Sequence, residues 1–467
     1  MQPKQAALGA ITSLVVGIFL YANVINSPPP WLNPRLEKGS SRERIQHLGG
    51  PEPEFEVPPC AKKEFHLGPD RCARPSARTR RALSRAVRSP RDAPRVSNPP
   101  LSPAARGARS HVLITGAAGF IGHHLALSLA EGRKVGSVVG LDNYSPYYSV
   151  ALKQARAQRL SRAGGVRVVE GDVCNRSLVD GLLREHRVTH VVHLAAQAGV
   201  RYSLRAPLSY VRANVECFVS LLEALRAYKD ELASAAAAAG AAGAGGGARA
   251  YVAPQLVYAS SSSVYGLNRK IPFSEADPVE VPANLYGATK RADELIAFSY
   301  HHLHRVHSVG LRLFTVYGPW GRPDMAAYIF SRAVELGEPL TVYNGGRMRR
   351  DFTYVDDIVA GIEGAMGFCH RAPSVFNLGN NEPVGVLDFI RVIERVLKKR
   401  AVLTYKNSTS EIDATYADIS KAKRLLQFSP RTSIDRGMER FAEWYLNEPR
   451  RHEFSSGLWN EKRRRRR

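Results

Sequence analysis

A glycine-rich turn between a predicted strand and a predicted helix is the feature that most constrains the fold of this 467-residue chain. The apolar run "HVLIT" leads directly into Gly116-Ala-Ala-Gly119-Phe-Ile-Gly122, and apolar residues at helical spacing follow. In such a turn the first glycine permits a tight bend, the second lets backbone approach a pyrophosphate, and the third allows close packing of helix on strand. The positive end of the helix then faces the phosphates. The position of the triplet, more than the triplet itself, predicts a dinucleotide-binding unit.

Two carboxylates at later strand ends indicate which dinucleotide is bound. Asp142 ends the second predicted strand, twenty residues after Gly122, where a carboxylate accepts both adenosine ribose hydroxyls and repels a 2′-phosphate. Asn143 and Tyr144 follow it instead of an arginine, so NAD is favoured over NADP. Asp172 ends the third strand and is predicted to reach the adenine amino group. A helix N-cap is the alternative role of Asp172, and both roles can hold.

Strand and helix patterns alternate from His111 onward. This alternation predicts an α/β fold, a Rossmann-type doubly wound parallel sheet with helices on both faces, over residues 111–320. After about residue 320 the pattern becomes irregular, which predicts a smaller α/β substrate-binding domain over 321–460, laid on the carboxyl edge of the sheet. The glycines of the low-complexity piece 233–250 argue against a helix across the whole piece, so a flexible surface insertion is expected there.

The N-terminal segment differs in composition from the rest of the chain. A short tail, 1–5, precedes an uncharged stretch, 6–25, whose length would span a bilayer core. A transmembrane anchor is favoured over a cleaved signal peptide, because the apolar part of a signal peptide is shorter and ends in small residues. Residues 26–110 are rich in Pro, Arg and Ser and predict a disordered stem. Basic residues after the span leave its orientation open.

Charge and cysteine usage exclude several classes of protein. Much of the net charge of +24 lies in the stem and in the basic tail 461–467, which are interpreted as solvated tails. Nucleic-acid binding is not expected, because no recognition fold accompanies the arginines. The 5 cysteines include no CxxC pair and no histidine at metal-ligand spacing. Free thiols are therefore expected, with neither a disulfide framework nor a metal site.

A tyrosine and a lysine four residues apart supply a candidate base. Tyr286-Gly-Ala-Thr-Lys290 places a phenol and an ammonium on one face of a predicted helix. The lysine cation, with a nicotinamide cation nearby, favours the phenolate, so the tyrosine can act as a base near neutral pH. Because the glycine turn, Asp142, a serine-rich strand end and this pair occur in order along the chain, chance is a poor explanation of the pair.

Two further strand ends carry residues that suit a binding site. The fourth predicted strand ends in "HLAAQAGVRYS", where Ala195 and Ala196 would let the chain pass close to a cofactor. Gln197 and Arg201 project toward whatever binds beside it. The fifth strand ends in "LVYASSSSVYG", with four consecutive hydroxyls and no carboxylate.

With these motifs the chain resembles the extended short-chain dehydrogenase/reductase family, over about residues 111–460, among its NAD-dependent epimerases and dehydratases. Within that family it is similar to UDP-glucuronate 4-epimerases, especially plant-type members, which also carry a membrane-anchor segment. The residues that carry the likeness are "DNYSPYY", "HLAAQAGVRYS", "YASSSSVYG", "NLYGATKRADELI", "LRLFTVYGPWGRPDMA", "RRDFTYVDDIV" and "ATYADISKAKRLL".

The resemblance implies epimerisation at C4 of a UDP-uronic acid, from UDP-glucuronate to UDP-galacturonate, through a 4-keto intermediate with bound NAD. It makes Tyr286 the base, Lys290 its partner, and Ser261 the contact to the C4 oxygen. Related dehydratases and decarboxylases carry a carboxylate at one or both of the next two positions, where this chain has serines. The acid needed to eliminate water is therefore lacking.

A 4-keto uronate is a β-keto acid, which loses CO2 when its carboxylate bond aligns with the carbonyl π system. The resemblance suggests that Thr315 and Arg322 hold the carboxylate out of alignment, and a guanidinium suits that task because it binds carboxylates through two hydrogen bonds. The resemblance also places Arg350 at the UDP phosphates and Asp418 near the uridine. Just before Asp418 this chain reads "SEID" where the family usually has "GDV".

The predicted site residues thus form three sets. The catalytic residues are Tyr286, Lys290 and Ser261. The cofactor contacts are Gly116, Gly119, Phe120, Ile121, Gly122, Asp142, Asn143, Asp172, Val173, Leu194, Ala195, Ala196, Tyr286 and Lys290. The substrate contacts are Gln197, Arg201, Ser261, Ser262, Thr315, Arg322, Arg350 and Asp418.

Several alternatives stay open at this point. A UDP-hexose 4-epimerase would use the same machinery on neutral sugars, and a UDP-glucuronate decarboxylase is a further alternative. A non-catalytic NAD sensor, or a protein that binds anionic surfaces through its arginines, is the alternative outside enzymes. The resemblance further implies a homodimer formed through helices 206–228 and 285–306, and a single-pass membrane protein of the Golgi.

Overall fold

The computed structural model describes residues 110–241, 253–368, 373–407 and 414–455. The predicted tail 1–5, anchor 6–25 and basic tail 461–467 lie outside the described residues, as does the stem 26–110 apart from its last residue. Within the described part of the chain, no helix combines the length and the apolar character needed to cross a bilayer.

Strands and helices alternate through the first two thirds of the described chain. The strands are β1 His111–Thr115, β2 Ser137–Asp142, β3 Arg167–Glu170, β4 His190–His193, β5 Gln255–Ser261, β6 Ser308–Leu313, β7 Thr315–Tyr317, β8 Pro339–Tyr343, β9 Arg349–Tyr354, β10 Ser374–Leu378, β11 Pro383–Gly385, β12 Val402–Lys406 and β13 Ala414–Thr415. The α-helices are α1 Phe120–Glu131, α2 Val150–Gly164, α3 Arg176–Glu185, α4 Pro207–Tyr210, α5 Cys217–Ala241, α6 Leu285–His304, α7 Ala326–Leu336, α8 Val355–Met366, α9 Val386–Leu397, α10 Ser420–Leu425 and α11 Ile434–Asn447.

The main sheet has seven strands in the order β10-β6-β5-β4-β1-β2-β3. Every neighbouring pair in it is parallel. Chain order reverses beside β1, which has β2 on one side and β4 on the other. In sheets of this kind the crevice at the carboxyl ends of such strands is where ligands bind. The predicted α/β, Rossmann-type parallel sheet is confirmed.

Both faces of this sheet are buried. In β1, Val112 and Ile114 belong to one apolar cluster, whereas Leu113 belongs to another on the opposite face. The same alternation continues in β4, where Val191 and Val192 contribute to different clusters. Because successive side chains of a strand point to opposite faces, a strand covered on both sides reads as a continuous apolar run. That is why these strands could be recognised from the sequence.

The C-terminal part of the chain contributes to two smaller sheets and to the main sheet. Strand β9 pairs with β7, β11 and β13, and β8 pairs with β12. Strand β10 lies at the edge of the main sheet, although its residues belong to the predicted second domain. Helix α9 shows why the amphipathic segments pack here: Phe389, Ile390, Ile393 and Leu397 recur at helical spacing and are all buried.

The long helix predicted near 206–228 is broken into three parts. A single turn, α4, is followed by a π-helical turn, Val211–Glu216, and then by α5. Helix α5 extends to Ala241, so the first half of the piece 233–250 is helical, in contrast to the flexible insertion expected there. The run of alanines explains the difference, since alanine has the highest intrinsic helix propensity and the glycines lie mainly after it.

A disulfide bond joins Cys174 and Cys217, so the expectation of free thiols is wrong for this pair. Cys174 lies in the loop between β3 and α3, and Cys217 is the first residue of α5. The two are separated by 43 positions in the sequence, and no spacing motif marks them. Only the packing of α5 beside α3 brings the thiols together.

Candidate active site

The glycines of the turn lie so close to neighbouring backbone atoms that side chains would not fit at their positions. Gly116 has a φ of +72°, and a Cβ built on it would lie 2.7 Å from the backbone nitrogen of Ala195. A Cβ on Gly122 would lie 2.2 Å from the carbonyl oxygen of Gly116. Gly119 is the N-cap of α1, makes no side-chain cap hydrogen bond, and no acidic residue occupies the first turn. The first N–H groups of α1, which begins with Phe120, are thus available to an anion, as a pyrophosphate requires.

Two carboxylates lie beside this turn. Asp142 is buried, and its Oδ2 accepts a hydrogen bond from the backbone N–H of Ala118 at 3.0 Å. Its Oδ1 accepts from the N–H of Tyr144 at 2.9 Å. Asn143 donates from Nδ2 to Oδ2 of Asp172 at 3.1 Å, which joins the ends of β2 and β3. The structure therefore brings the predicted ribose and adenine contacts together at one edge of the sheet.

The alternative role of Asp172 as a helix cap is filled by another residue. Asn175 is the N-cap of α3, where its side chain accepts from the N–H of Leu178. Asp172 instead accepts a hydrogen bond from the N–H of Cys174 at 2.8 Å, within the loop that precedes the helix. Val173 is buried in the same loop. One oxygen of Asp172 thus fixes its own loop, and the other contacts Asn143.

A buried arginine that the sequence did not single out connects the cofactor turn to a distant loop. The guanidinium of Arg156, on α2, donates to the carbonyl oxygen of Ala118 and to the hydroxyl of Tyr148 at 3.1 and 2.8 Å. It also donates to the carbonyl oxygens of Trp320 and Gly321. Arg156 is fully buried, so these oxygens compensate for the loss of water around its charge. No spacing or composition in the helix distinguishes it from its surface arginines.

The catalytic candidates lie on two elements in close contact. Ser261 ends β5, and its Oγ accepts a hydrogen bond from the N–H of Ser263 at 3.1 Å. Tyr286 is in the first turn of α6, which Asn284 caps by accepting from the N–H of Gly287 at 2.8 Å. A Cβ on Gly287 would lie 2.5 Å from the carbonyl oxygen of Ser263. The absence of a side chain at Gly287 therefore lets the tyrosine's helix approach the serine strand end.

The ammonium of Lys290 is buried and ion-paired. Its Nζ lies 3.0 Å from Oδ2 of Asp293, one turn further along α6. Burial raises the pKa of Asp293 to about 6, although the charge of Lys290 opposes the rise. His193, at the end of β4, is also buried, and burial together with the charge of Lys290 lowers its pKa to about 3. The lysine charge thus faces one carboxylate and one neutral imidazole.

A buried asparagine joins the end of β4 to α6. Asn214, in the π-helical turn Val211–Glu216, donates from Nδ2 to the hydroxyl of Thr289 at 2.9 Å and to the carbonyl oxygen of Gln197 at 3.1 Å. Its Oδ1 accepts from the N–H of Gln197 at 2.8 Å. A π-helical turn often occurs at functional sites, because it re-aims side chains. This link fixes the predicted contact Gln197 against the helix that carries Tyr286, and sequence reasoning missed it because no motif marks a π-helical turn.

The predicted carboxylate clamp lies beside the glycine turn. Thr315 and Arg322 line one pocket together with Phe120 of the glycine turn. The guanidinium of Arg322 pairs with Asp324 through two hydrogen bonds, from Nε to Oδ1 at 3.0 Å and from Nη2 to Oδ2 at 2.6 Å. Burial opposes the charge of both groups, but the partner's charge, its hydrogen bonds and the nearby tyrosines together outweigh burial, so the pKa of Arg322 is raised and that of Asp324 is lowered. Arg322 is thus a half-buried, paired cation beside the cofactor turn.

The remaining predicted contacts at the end of β4 and β5 differ in exposure. Leu194 and Ala195 are half-buried, whereas Ala196 is exposed. Arg201 is exposed and is the N-cap of a short 3₁₀ turn. Ser262 is half-buried and begins the 3₁₀ turn that follows β5.

The two residues predicted for the nucleotide end lie on, and just after, strands of the sheet formed by β7, β9, β11 and β13. Arg350, on β9, is half-buried and donates to the carbonyl oxygen of Arg349 at 3.0 Å. Asp418 lies just after β13, and its Oδ1 accepts from the N–H of Ser420 at 2.9 Å, at the start of α10. Its backbone is fixed by the carbonyl oxygen of Phe273 at 2.8 Å. The departure "SEID" lies outside the described residues.

The disulfide lies next to the predicted adenine contact. Ligand atoms of Asp172, Cys174 and Cys217 all lie within 4.8 Å of one another. Sulfurs that are bonded to each other are not thiolate ligands, so this group does not form a metal site in the structure as it stands.

Comparison with known proteins gives one consistent family. Residues 112–379 match the model of the NAD dependent epimerase/dehydratase family. The chain is 43% identical over 353 residues to UDP-glucuronate 4-epimerase 3 of Arabidopsis thaliana, which covers 72% of this chain and 76% of that protein. Its fold matches a crystal structure of UDP-glucuronic acid 4-epimerase from Bacillus cereus in complex with UDP-glucuronic acid and NAD. That match has a TM-score of 0.62 and 32% identity, and covers 72% of this chain and 98% of the other.

A bacterial relative contradicts the predicted location. The chain is 38% identical over 357 residues to Protein CapI of Staphylococcus aureus, covering 72% of this chain and 98% of that protein. A bacterium has no Golgi apparatus, and the match includes almost all of the bacterial protein. The expectation of a single-pass Golgi membrane protein is therefore wrong as an inference from the family.

Proposed function

This chain belongs to the NAD-dependent epimerase/dehydratase family, and from that premise we propose that it interconverts UDP-glucuronate and UDP-galacturonate by inverting C4. The observation that carries the proposal is the arrangement around the glycine turn. The serine strand end touches the helix of Tyr286, and Phe120 of the turn lines one small pocket with Arg322. In this proposal the base, the hydroxyl and a carboxylate-binding cation surround the nicotinamide and the sugar.

The residues present fit an NAD molecule. The glycine contacts leave a cradle that a Cβ would fill, and the uncapped start of α1 faces it. Asp142 would hold the adenosine ribose, and Asp172 the adenine. NAD bound there would supply the acceptor for the hydride from C4 of the sugar and the donor that returns it to the opposite face, so the cofactor would be regenerated in each cycle.

The proton at the C4 oxygen is handled by Tyr286 and Ser261. Because Oγ of Ser261 already accepts a hydrogen bond from Ser263, its own O–H is free to donate to the sugar oxygen or to the phenolate. Lys290 supplies positive charge beneath the phenolate, with its orientation fixed by Asp293. General base catalysis of this kind contributes about 10²- to 10⁴-fold in rate.

The serine cluster favours epimerisation over elimination. The residues after Ser261 are again serines, and Ser262 and Ser263 cannot act as the carboxylic acid that removal of water would need. Within the family, this favours a reaction that needs one base and no second acid.

A uronate is favoured over a neutral hexose by the clamp. Thr315 and Arg322 line one pocket, and a guanidinium recognises a carboxylate through charge and paired hydrogen bonds. Gln197 and Arg201 are the further substrate contacts in this proposal. The Bacillus cereus relative was crystallised with UDP-glucuronic acid and NAD, which supports the choice of substrate.

The nucleotide end of the substrate is assigned to the C-terminal part of the chain. Arg350 faces the UDP phosphates in this proposal, and Asp418 lies near the uridine. Strand β13 pairs with β9 so that Thr415 is opposite Arg350, and Asp418 follows shortly after this strand. Residues 321–460 would then serve mainly for nucleotide-sugar binding, while residues 111–320 hold the cofactor.

Product analysis tests the proposal. The purified full chain, given UDP-glucuronate and NAD, should form UDP-galacturonate, identified by chromatography and proton NMR. Tyr286→Phe should lower kcat by about 10²- to 10⁴-fold, whereas Tyr405→Phe, at a tyrosine 60% exposed on β12, should leave kcat unchanged. UDP-xylose with CO2 as the product would make the chain a decarboxylase. Equal kcat/KM for UDP-glucose and UDP-glucuronate would make it a hexose epimerase.

We also propose that two copies associate through an apolar patch beside the active-site helices. Leu204 and Leu208 are each 81% exposed, and Leu295 and Phe298 on α6 are 55% and 60% exposed. The short turns that carry the leucines pack against α6, the helix that carries Leu295 and Phe298. Large exposed apolar patches mark association surfaces in soluble proteins. Light scattering after size-exclusion chromatography should give twice the chain mass, and Phe298→Glu should give the single-chain mass.

A further inference from the structure

Among the described residues, the guanidinium of Arg322 donates hydrogen bonds from one edge alone. Nε and Nη2 donate to the two oxygens of Asp324, and Nη1 makes no hydrogen bond to the described residues. A guanidinium has five N–H groups in a fixed plane, and one edge can bind one carboxylate while the other edge binds a second. The two hydrogen bonds to Asp324 therefore fix the plane of the Arg322 guanidinium, here called the fork, and leave its Nη1 side for a ligand.

Asp324 is itself held from a second direction. The hydroxyl of Tyr147 donates to Oδ2 of Asp324 at 3.0 Å, and the Arg322 guanidinium lies 5.7 Å from the centre of the Tyr147 ring. Tyr147 in turn contacts Gly199, where a Cβ would lie 2.1 Å from the tyrosine oxygen and φ is +100°. Three segments of the chain thus determine where the arginine points: the loop after β2, the loop after β4, and the loop after β7.

We propose that Asp324 and Tyr147 are positioning residues that act through Arg322 to decide whether the keto-acid intermediate keeps its carboxylate. The proposal rests on the function proposed above and deepens it. Oxidation at C4 of a glucuronate yields a β-keto acid. If its C5–C6 bond aligns with the carbonyl π system, that bond breaks and its electron pair enters the C4 carbonyl as an enolate. CO2 leaves, and a proton from solvent adds at C5.

The role of the pair follows from this chemistry. A clamp that only binds the carboxylate loosely would let the C5–C6 bond sample the aligned geometry in each turnover. A fork held in one plane by Asp324, with Asp324 held by Tyr147, restricts the carboxylate to one orientation. Neutralising Asp324 or removing the tyrosine hydroxyl frees the fork to rotate, although Arg322 keeps its charge.

The test measures how the intermediate partitions. UDP-glucuronate labelled with ¹⁴C at C6 is supplied to the full-length enzyme with NAD, and released ¹⁴CO2 is counted against UDP-galacturonate formed. In Asp324→Asn and Tyr147→Phe we expect the fraction of turnovers that release CO2 to rise at least tenfold. KM for UDP-glucuronate should rise more than kcat falls. The double variant should show no more CO2 release than the more affected single variant, because both residues act through one arginine.

The matched control is Asp388→Asn, which removes the carboxylate of an exposed aspartate–arginine pair, with Arg391, at 2.7 Å. It should keep the wild-type partition and KM. If Asp324→Asn does not fold, Tyr147→Phe, which retains the ring, carries the test alone.

An unchanged CO2 fraction in Asp324→Asn and Tyr147→Phe, with only a lower kcat, would overturn the positioning role and leave the proposed function intact. A wild-type enzyme that does not convert UDP-glucuronate would overturn the proposed function itself, and this inference with it. The two failures are therefore distinct.

Discussion

A buried ion pair behind the serine strand end gives a sharp prediction for stability. Arg312 on β6 donates from Nε and Nη2 to the two oxygens of Glu294 on α6, both at 2.8 Å, and the side chains are 3% and 1% exposed. The hydroxyl of Ser260, next to Ser261, donates to the same carboxylate at 2.7 Å. Glu294→Gln keeps the shape of the side chain but leaves the arginine cation buried without its anion.

The expected loss follows from this burial. Removing one partner of a buried pair typically lowers the free energy of unfolding by about 3–5 kcal/mol, because the remaining charge is left without compensation. Burial opposes ionisation of Glu294, but the hydrogen bonds and charge of Arg312 outweigh it, so the pKa of Glu294 lies below its ordinary 4.5. A lowered pKa in the folded state contributes stability above pH 4.5 that is lost as the pH falls through the lower value. The difference between wild type and variant should therefore be largest near pH 7 and shrink in acid.

Equilibrium urea denaturation at pH 7 and below pH 4.5 measures this difference. The control is Glu439→Gln, since Glu439 pairs with Arg436 on the surface, where the side chains are 55% and 64% exposed. An exposed pair of this type contributes about 0.3–0.5 kcal/mol, so the control should change little. A loss below about 1 kcal/mol for Glu294→Gln at pH 7 would refute the reasoning, because it would mean that water reaches Arg312.

Three further predictions concern the cofactor site and its surroundings. Asp293→Asn should lower kcat for UDP-glucuronate, by less than the about 10²- to 10⁴-fold expected for Tyr286→Phe, as steady-state kinetics would show. The reason is that the carboxylate of Asp293 lies 3.0 Å from Nζ of Lys290 and orients this ammonium, which favours the Tyr286 phenolate. Gly122→Ala should abolish retention of NAD during purification, measured by release of nucleotide from the denatured protein, because its Cβ would lie 2.2 Å from a carbonyl oxygen of the same turn. Cys174→Ser should lower the free energy of unfolding by about 3–4 kcal/mol relative to the oxidised wild type, since the bond to Cys217 closes a long loop, and dithiothreitol should remove the difference.

The parallel sheet and its cofactor edge could be predicted because local patterns encode them. Strands buried on both faces are continuous apolar runs, and the glycine turn has one geometric solution between a strand and a helix. Asp142 and Asp172 could be placed because each ends a strand of a sheet whose carboxyl ends share one edge. The tyrosine–lysine pair follows from helical spacing.

What could not be predicted depends on contacts between distant segments. Arg156 looks like any helix-surface arginine until the loop at Trp320 covers it, and Asn214 acquires its role from a π-helical turn that no motif marks. The partners Cys174 and Cys217 meet only because two helices pack side by side. Asp324 could not be recognised as the partner of Arg322, since a carboxylate two residues away in a loop has no fixed direction.

Arg156 links the glycine turn, through Ala118, to the loop that precedes Arg322, through Trp320 and Gly321, so these two segments are expected to evolve together. A chimera that combined the β1–α1 segment of one relative with the Trp320–Gly321 segment of another would have to keep both backbones in register with one guanidinium. A mismatch on either side would leave charged N–H donors of the Arg156 guanidinium buried without hydrogen-bond acceptors. Recombination among such enzymes should therefore succeed when both segments that Arg156 contacts come from the same parent, and fail when they come from different parents. A change of sugar preference should then evolve more readily by point substitutions around the pocket than by exchange of long segments.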